Sequence, residues 1–340
     1  MMKRQWMGIS FALVLAFTLA ACGTSTEDNT DSKNNNEEAN SSSNNESGQE
    51  EAALPDAPLE KKDQGEEVEA LQQVLQELDY PVEGTGTFDD LTTWALTDIQ
   101  LQQDEELIIT GMFDEDTKDF LQKLLNDEET IEAGAALEEP EQPDAYPDEV
   151  ENPYDVLAVA NKTHALPEDY EPEDLVTPDI PFPFDEDLPK KKMRQTAADA
   201  IEDLVEAGEE EGVHILGQSG FRSYDRQVEL FDSYAEEHGE EEANTYSARP
   251  GESEHQTGLV MDVTSEEVGF DLNTDFGETE EGKWLKDHAH EYGFIIRYPE
   301  DKEDITEYQY EPWHIRYVGK QAAEAIYEDQ STLEEYFDID

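Results

Sequence analysis

The amino-acid sequence predicts an α+β fold, in which a small antiparallel sheet with helices is preceded by a small three-helix bundle. Over residues 152–340, short apolar runs typical of strands and amphipathic patterns typical of helices follow one another in mixed order, which indicates the α+β class. Residues 67–125 show helical spacing that is interrupted by two similar turns. The length of 340 residues is enough for these two domains and the segments that join them.

Residues 1–22 have the composition of a secretory signal. Lys3 and Arg4 precede an apolar run, Met7 to Ala21, that is too short for a comfortable membrane span. The run leads into Leu19-Ala20-Ala21-Cys22-Gly23, which resembles the lipobox of bacterial lipoproteins, and Cys22 is the only cysteine of the chain. The resemblance implies cleavage before Cys22 and a lipid anchor on its thiol, which would hold the protein on the outer face of the cell membrane. The alternative is an ordinary signal peptide with an incidental cysteine.

The segment after the signal is polar and acidic. Residues 23–66 are rich in Ser, Asn, Glu and Asp, so they are predicted to form a disordered tether that cannot bury enough apolar surface to offset its ordering entropy. The whole chain has 88 acidic and 21 basic residues and a formal charge of −67. This charge repels nucleic acid phosphates, so we expect no nucleic acid partner. Its simplest interpretation is solubility in a medium of high salt or high pH.

The first folded segment is predicted over residues 67–125. Apolar residues at helical spacing open it: Val68, Leu71, Val74, Leu75 and Leu78. The sequence Gly86-Thr87-Phe88-Asp89-Asp90-Leu91-Thr92 is then echoed by Gly111-Met112-Phe113-Asp114-Glu115-Asp116-Thr117. In each copy the glycine allows a tight turn and the first aspartate can cap the helix that follows. Three helices joined by two such turns form a small bundle.

This segment resembles the peptidoglycan-binding domain type 1 family. The likeness rests on Leu71-Gln72, Leu75, Leu78, Tyr80, the two Gly-x-Phe-Asp-x-x-Thr turns and Gln100. It implies that peptidoglycan is a partner of the protein. The family usually has glycine at the position of Asp79 and an aromatic residue at the position of Ile99. The alternative interpretation is a helical spacer without a ligand.

Residues 126–151 are acidic and contain proline, so they are predicted to be a linker. Within residues 152–340, strands are expected at 157–160, 214–217, 259–263 and 313–318. Helices are expected at 194–206, 226–238, 284–292 and 320–327. This domain also contains all of the histidines of the chain.

Two short motifs in this domain carry groups suited to metal chemistry. In Ser253-Glu254-His255-Gln256-Thr257-Gly258-Leu259-Val260-Met261-Asp262, His255 is expected in a loop and Asp262 on an apolar strand, where a charge is costly unless it is paired or bound to a metal. In Glu311-Pro312-Trp313-His314, the proline disfavours a helix, so both flanking residues are expected on a turn that runs into a strand. Two histidines and one carboxylate suit a catalytic Zn²⁺, which keeps a fourth position open for water. Glu311 is then available as a base.

Residues 152–319 resemble the VanY-type D-alanyl-D-alanine carboxypeptidases of the LAS group of zinc peptidases. Three separated motifs carry the likeness: Ser-x-His-x-x-Gly-x-Ala-x-Asp, with Val260 at the alanine position; Glu-x-x-His at Glu311 and His314; and Ser219-Gly220-Phe221-Arg222-Ser223-Tyr224 with Gln227. The resemblance implies one Zn²⁺ held by His255, Asp262 and His314. It implies Glu311 as the general base, Arg222 on the substrate carboxylate or the oxyanion, and Ser253 and Gln227 as substrate-positioning groups.

The resemblance implies hydrolysis of the terminal D-alanine from peptidoglycan stem peptides, by a protein that is expected to be monomeric. Three alternatives remain open at this point. The enzyme could cleave the bond after an L-centre as an LD-carboxypeptidase, or cut cross-links as an endopeptidase of the same group. A third possibility is a wall-binding lipoprotein with a catalytically dead domain. His164, His214, His238, His288 and His290 match no ligand position and are expected to be structural or surface residues.

Overall fold

The computed structural model describes residues 53–103, 108–141, 148–244 and 247–339. Residues 51–340 form one compact unit. The predicted signal, the anchor at Cys22 and the tether up to residue 52 lie outside the described residues. Among the helices of the described residues, none has the length and apolar character needed to cross a membrane.

The helical module consists of α1 (Glu66–Glu77), α2 (Asp90–Leu101) and α3 (Glu115–Leu125). The side chains of Asp89 and Asp114 accept hydrogen bonds from the backbone N–H of Thr92 and Thr117, as the two turn motifs predict. Phe88 and Phe113 from the two turns are buried in the core between the helices. The predicted three-helix bundle is therefore confirmed.

A buried glutamine holds each turn of the module. Gln72 accepts a hydrogen bond from the N–H of Gly86 and donates to the carbonyl of Thr87. Gln100 accepts from the N–H of Gly111 and donates to the carbonyl of Met112. The two turns are thus fixed in the same way by side chains of α1 and α2, which accounts for the glutamines that appear in the sequence resemblance.

Asp79 and Ile99, the two positions at which the sequence differs from its family pattern, both fit the fold of the module. Asp79 adopts a left-handed backbone conformation with φ of 66°, which glycine adopts freely and aspartate tolerates better than most residues. Ile99 is fully buried in the core of the module and fills the expected aromatic position with a smaller side chain.

The described segments on both sides of the bundle, residues 53–65 and 126–141, are ordered, contrary to the expectation of a tether through residue 66 and a linker from residue 126. Leu59 is buried and exchanges backbone hydrogen bonds with Phe113. Beyond α3, the buried carboxylate of Asp98 accepts hydrogen bonds from the N–H groups of Gly134, Ala136 and Leu137. Composition alone missed this folding because the acceptor for the linker lies on α2, 36 to 39 residues earlier in the chain.

The C-terminal domain contains a four-stranded antiparallel sheet in the order β3-β4-β6-β5. Its strands are β3 (Leu216–Ser219), β4 (Val260–Thr264), β5 (Phe294–Tyr298) and β6 (Glu311–Tyr317), and a separate pair joins β1 (Leu175–Val176) to β2 (Met193–Arg194). The helices are α4 (Gln195–Glu211), α5 (Tyr224–His238), α6 (Glu240–Ala243), α7 (Glu280–His288), α8 (Glu303–Thr306), α9 (Lys320–Asp329) and α10 (Leu333–Tyr336). This arrangement confirms the predicted α+β class.

One predicted strand of this domain is a loop in the structure, and one strand of the four-stranded sheet was not predicted. Residues 157–160 form no strand; they lie in a loop whose Leu157 and Val159 pack against α9. The loop is held by the buried guanidinium of Arg316, which donates to the carbonyls of Val156 and Ala158. Strand β5 was not predicted, although Gly293 and Pro299 flank its short apolar run, because that run directly follows a helical pattern.

The helical module and the C-terminal domain meet at a seam, which we define by Arg194, Ile109, Thr110, Tyr154 and Val156. Arg194 is fully buried and donates to the carbonyls of Ile109 and Tyr154 and to the carboxylate of Asp174. The N–H of Val156 donates to the carbonyl of Thr110. The second turn of the module is therefore bonded directly to the C-terminal domain.

Candidate metal centre

The sheet brings Asp262 and His314 side by side. Asp262 lies on β4 and is the register partner of His314 on β6. The Oδ1 atom of Asp262 is 2.9 Å from Nδ1 of His314. Strand periodicity explains the placement, because residues directly opposite on adjacent strands present their side chains to the same face.

His255 approaches the same point from a short 3₁₀ helix, residues 254–257, that precedes β4. Gly258 ends this helix in a left-handed conformation with φ of 70°, which turns the chain into the strand. The Nδ1 atom of His255 lies 2.7 Å from the carbonyl oxygen of Gly220. This bond makes Nδ1 the protonated nitrogen and leaves Nε2, 3.4 Å from Oδ2 of Asp262, as a lone-pair donor.

The three predicted ligands converge within the described part of the chain. One ligand atom from each of His255, Asp262 and His314 lies within 4.8 Å of the others, and all three side chains are buried. Burial acts to raise the pKa of Asp262, but the two histidines hold it well below its usual range, so the group is a carboxylate. Two imidazoles and one carboxylate are a donor set that suits Zn²⁺. These residues therefore fit the expected metal.

The two histidines differ in their electrostatic surroundings. Burial and the nearby guanidinium of Arg222 lower the pKa of His255, which favours the neutral imidazole that a metal requires. Burial also acts against the charged form of His314, but the neighbouring carboxylates, chiefly Asp262 and Glu254, raise its pKa to about 9. Metal binding at His314 would therefore displace a proton.

Glu311 lies at the start of β6, with its Oε2 atom 3.9 Å from Nδ1 of His314. Burial, reinforced by Asp262, raises the pKa of Glu311 to about 7, while His314 and Arg222 act in the opposite direction. A carboxyl group with a pKa near neutrality can both take up and release a proton, which is what a general acid–base residue needs. The sequence placed Glu311 on a turn, whereas it is the first residue of the strand.

Arg222 is held beside this centre. Its N–H donates to the carbonyl of His255 at 3.1 Å, and its Nη1 donates to Oε1 of Gln227 at 2.8 Å. Gln227 is buried on α5 and donates in turn to the carbonyl of Ala248. Ser253 is also buried and directly precedes the 3₁₀ helix of His255. The structure thus gathers Arg222, Gln227 and Ser253 near the ligand set, with Gln227 contacting Arg222 itself.

Sequence reasoning missed one charged group of the site. Glu254 is buried directly behind His314, and its Oε1 atom accepts hydrogen bonds from Arg297 and Arg316. The available signal was an arginine in each of two apolar strands, β5 and β6, where a buried cation requires a buried anion.

The five histidines without a ligand role lie elsewhere in the described structure. His164 is buried and bonded to Asn161, whereas His214 is exposed beside Glu209. His290 stacks on Tyr327 with ring centroids 3.6 Å apart, and His288 stacks on Trp284. His238 is the exposed last residue of α5.

Comparisons with known proteins agree with this fold. Residues 190–320 match the VanY family, described as D-alanyl-D-alanine carboxypeptidase, and residues 64–121 match a family described as "Putative peptidoglycan binding domain". A Bacillus subtilis (strain 168) protein named "Putative carboxypeptidase YodJ" is 53% identical over 189 residues, which cover 56% of this chain and 69% of that protein. The bifunctional D-Ala-D-Ala dipeptidase and carboxypeptidase VanXYC of Enterococcus gallinarum is 36% identical, over 54% of this chain and 93% of its own length.

One solved structure adds a likeness in three dimensions. The LdcB LD-carboxypeptidase is 52% identical, with a TM-score of 0.55 over 56% of this chain and 90% of that chain. Fold and site therefore place the molecule among the carboxypeptidases. The chain belongs to the VanY family of these enzymes and carries a peptidoglycan-binding domain in front of its carboxypeptidase domain.

Proposed function

We propose that this protein is a zinc-dependent D-alanyl-D-alanine carboxypeptidase that removes the terminal D-alanine from peptidoglycan stem peptides. The observation that carries the proposal is the convergence of His255, Asp262 and His314 beside Glu311. Membership in the VanY family supports the reaction, and the peptidoglycan-binding domain supports the polymer as partner.

Different residues of this chain have different roles in the hydrolysis. His255, Asp262 and His314 would hold one zinc ion, which supplies a Lewis acid and acidifies water when bound. Glu311 accepts the proton of the attacking water and delivers it to the leaving amine. Arg222 binds the free carboxylate of the peptide or the developing oxyanion, because its planar fork can donate two parallel hydrogen bonds. Gln227 fixes the direction of that fork, and Ser253 helps to position the substrate.

The experiment that tests this function is mass spectrometry of muropeptides after digestion with the zinc-loaded and the chelator-treated protein. Loss of one alanine from pentapeptide stems, with zinc only, is the expected result. Cleavage of cross-linked dimers with blocked ends would instead identify an endopeptidase. An unchanged muropeptide profile with stoichiometric zinc would overturn the proposal and favour a wall-binding protein that does not cleave.

A second candidate function, LD-carboxypeptidase activity, is favoured by one specific observation. The 52% identity to the LdcB LD-carboxypeptidase exceeds the 40% identity to the D-alanyl-D-alanine carboxypeptidase of Enterococcus faecium. Both reactions release D-alanine, but the LD reaction leaves an L-centre at the new end. Parallel digestion of purified pentapeptide and tetrapeptide stems separates them, since the first is the DD substrate and the second the LD substrate.

The proposed location is outside the cytoplasmic membrane, where the polymer lies. The lipid anchor at Cys22 stays a prediction, and Cys22→Ser should release the protein from membranes or block its processing, because a serine hydroxyl cannot take the thioether-linked lipid. Fractionation of cells that express each form measures this. A Cys22→Ser protein that is processed and remains with the membrane would contradict the anchor.

A further inference from the structure

A buried network of charged side chains lies behind His314. Glu254 is only 1% exposed, and its Oε1 atom accepts hydrogen bonds from Nε of Arg297 and Nη1 of Arg316, both at 2.8 Å. The second oxygen, Oε2, is 3.6 Å from Nε2 of His314. Among the described residues, neither Oε2 nor Nε2 has a hydrogen-bond partner within normal range.

This placement distinguishes the two ring nitrogens of His314. Nδ1 lies 2.9 Å from Asp262 and so belongs to the proposed ligand set, whereas Nε2 faces Glu254. Histidines that bind a metal usually donate their other ring N–H to a carboxylate or carbonyl, which fixes the tautomer and the ring orientation. His255 follows this rule through the carbonyl of Gly220. Glu254 is placed to do the same for His314.

The arginines fix the direction of the Glu254 carboxylate. Arg297 also donates to both oxygens of Glu334 on α10, at 2.9 and 2.6 Å, and Arg316 donates to the carbonyls of Val156 and Ala158. Each guanidinium is thus held at several points, so the Oε1 atom they share has a defined position. The carboxylate cannot turn away from His314 without breaking two buried charged hydrogen bonds.

We propose that Glu254 is a positioning residue that accepts the Nε2–H of His314 and thereby holds Nδ1 toward the metal. The proposal rests on the proposed function, because it assumes the metal site of His255, Asp262 and His314. Glu254 acts through His314 and not on the substrate. The Arg297–Glu334 pair extends the support to the C-terminal helix α10.

The first test uses the unaltered, zinc-loaded protein. Long-range ¹H–¹⁵N spectra should show His314 with zinc on Nδ1 and a proton on Nε2. The opposite assignment, with zinc on Nε2, would overturn the proposal without any variant.

The second test compares Glu254→Gln with Glu334→Gln in the full chain. Each removes one buried negative charge from the same arginine, but the described side-chain contacts of Glu334 are with Arg297 and Asn161 and not with His314. Competition with a chromophoric chelator should show zinc bound about 10–100-fold more weakly by Glu254→Gln, the effect typical of losing such a partner. The d–d spectrum of the Co²⁺-substituted protein should change as well. Glu334→Gln should keep both properties close to those of the parent while losing stability in urea.

The outcomes separate this inference from the proposed function. A parent protein that binds no zinc would defeat the proposed function. A parent that binds zinc, with Glu254→Gln binding it equally well, would defeat only the role of Glu254. Equal weakening in both variants would also defeat it, since the effect would then come from the arginine cluster as a whole.

Discussion

The metal centre and the seam both bury charged side chains, but their polar atoms are satisfied in different ways. At the seam, the guanidinium of Arg194 donates to the carbonyls of Tyr154 and Ile109 and to the carboxylate of Asp174. In the metal centre, one possible ligand atom from each of His255, Asp262 and His314 lies within 4.8 Å of the others. A cluster whose donors and acceptors pair with one another is suited to holding two parts of a chain together. A cluster that directs several acceptors at one point is suited to binding a cation.

This comparison predicts that a change in the centre affects chemistry more than folding. Glu311→Gln should retain stoichiometric zinc and lose about 10²–10⁴-fold in kcat, because the amide cannot accept the proton of water. Zinc content by atomic absorption and D-alanine release by a coupled assay measure the two quantities. Glu328→Gln, an exposed change on α9, is the control and should leave both unaltered. Lost zinc together with substantial residual activity would show that Glu311 is a ligand and not the base.

A change at the seam should affect folding more than chemistry. Arg194→Met removes a fully buried cation and leaves the Asp174 carboxylate and two carbonyls without their donor, which costs on the order of 3 kcal/mol of unfolding free energy. The midpoint of urea unfolding measures the loss. The matched control is Arg226→Met, because the Arg226 side chain forms an exposed ion pair with Glu229 whose removal should change little. If Arg194→Met unfolds at the same urea concentration as the parent, the seam does not contribute to stability.

The contrast between the metal centre and the seam also explains which contacts of the folded protein could be predicted from the sequence. The ligands lie in short motifs whose residue types are unusual for their surroundings: a charge in the apolar strand around Asp262, and a histidine three residues after Glu311. Their convergence could be predicted, and the structure brings them together. The seam could not be predicted, because Arg194 reaches the module through the backbone carbonyl of Ile109, and no residue type marks Ile109 or Tyr154 as an acceptor.

The charged network behind His314 could be predicted only in part from the sequence. Glu254 was visible within the first motif, but its partners Arg297 and Arg316 lie 43 and 62 residues away in the chain. The loop at 157–160 was misassigned for a related reason. Its apolar residues suggested a strand, while the carbonyl of Ala158 is bound by the side chain of Arg316 instead of a neighbouring strand.

Glu60 differs from the charged groups of both the seam and the metal centre. It is a buried carboxyl group on the module side that lacks a cationic partner in the described structure. Its Oε1 atom is buried without a hydrogen-bond partner among the described residues. Burial, together with the charges of Asp63 and Asp155, raises the pKa of Glu60 from 4.5 to about 8. Between these two pH values the folded protein keeps a proton that the unfolded chain has released. Stability contributed by the neutral group is therefore lost as the pH rises through this window.

Glu60→Gln should reverse that loss, because the amide imitates the neutral acid at every pH. The variant should match the parent near pH 4.5 and exceed its unfolding free energy progressively up to pH 8, by at most a few kcal/mol. Urea unfolding at several pH values measures the difference, and comparison at equal pH cancels the pH dependence of metal binding. Glu67→Gln, an exposed change in the first turn of α1, should leave the pH slope unchanged. A Glu60→Gln variant whose stability runs parallel to that of the parent across this range would show that Glu60 ionises normally in the folded protein.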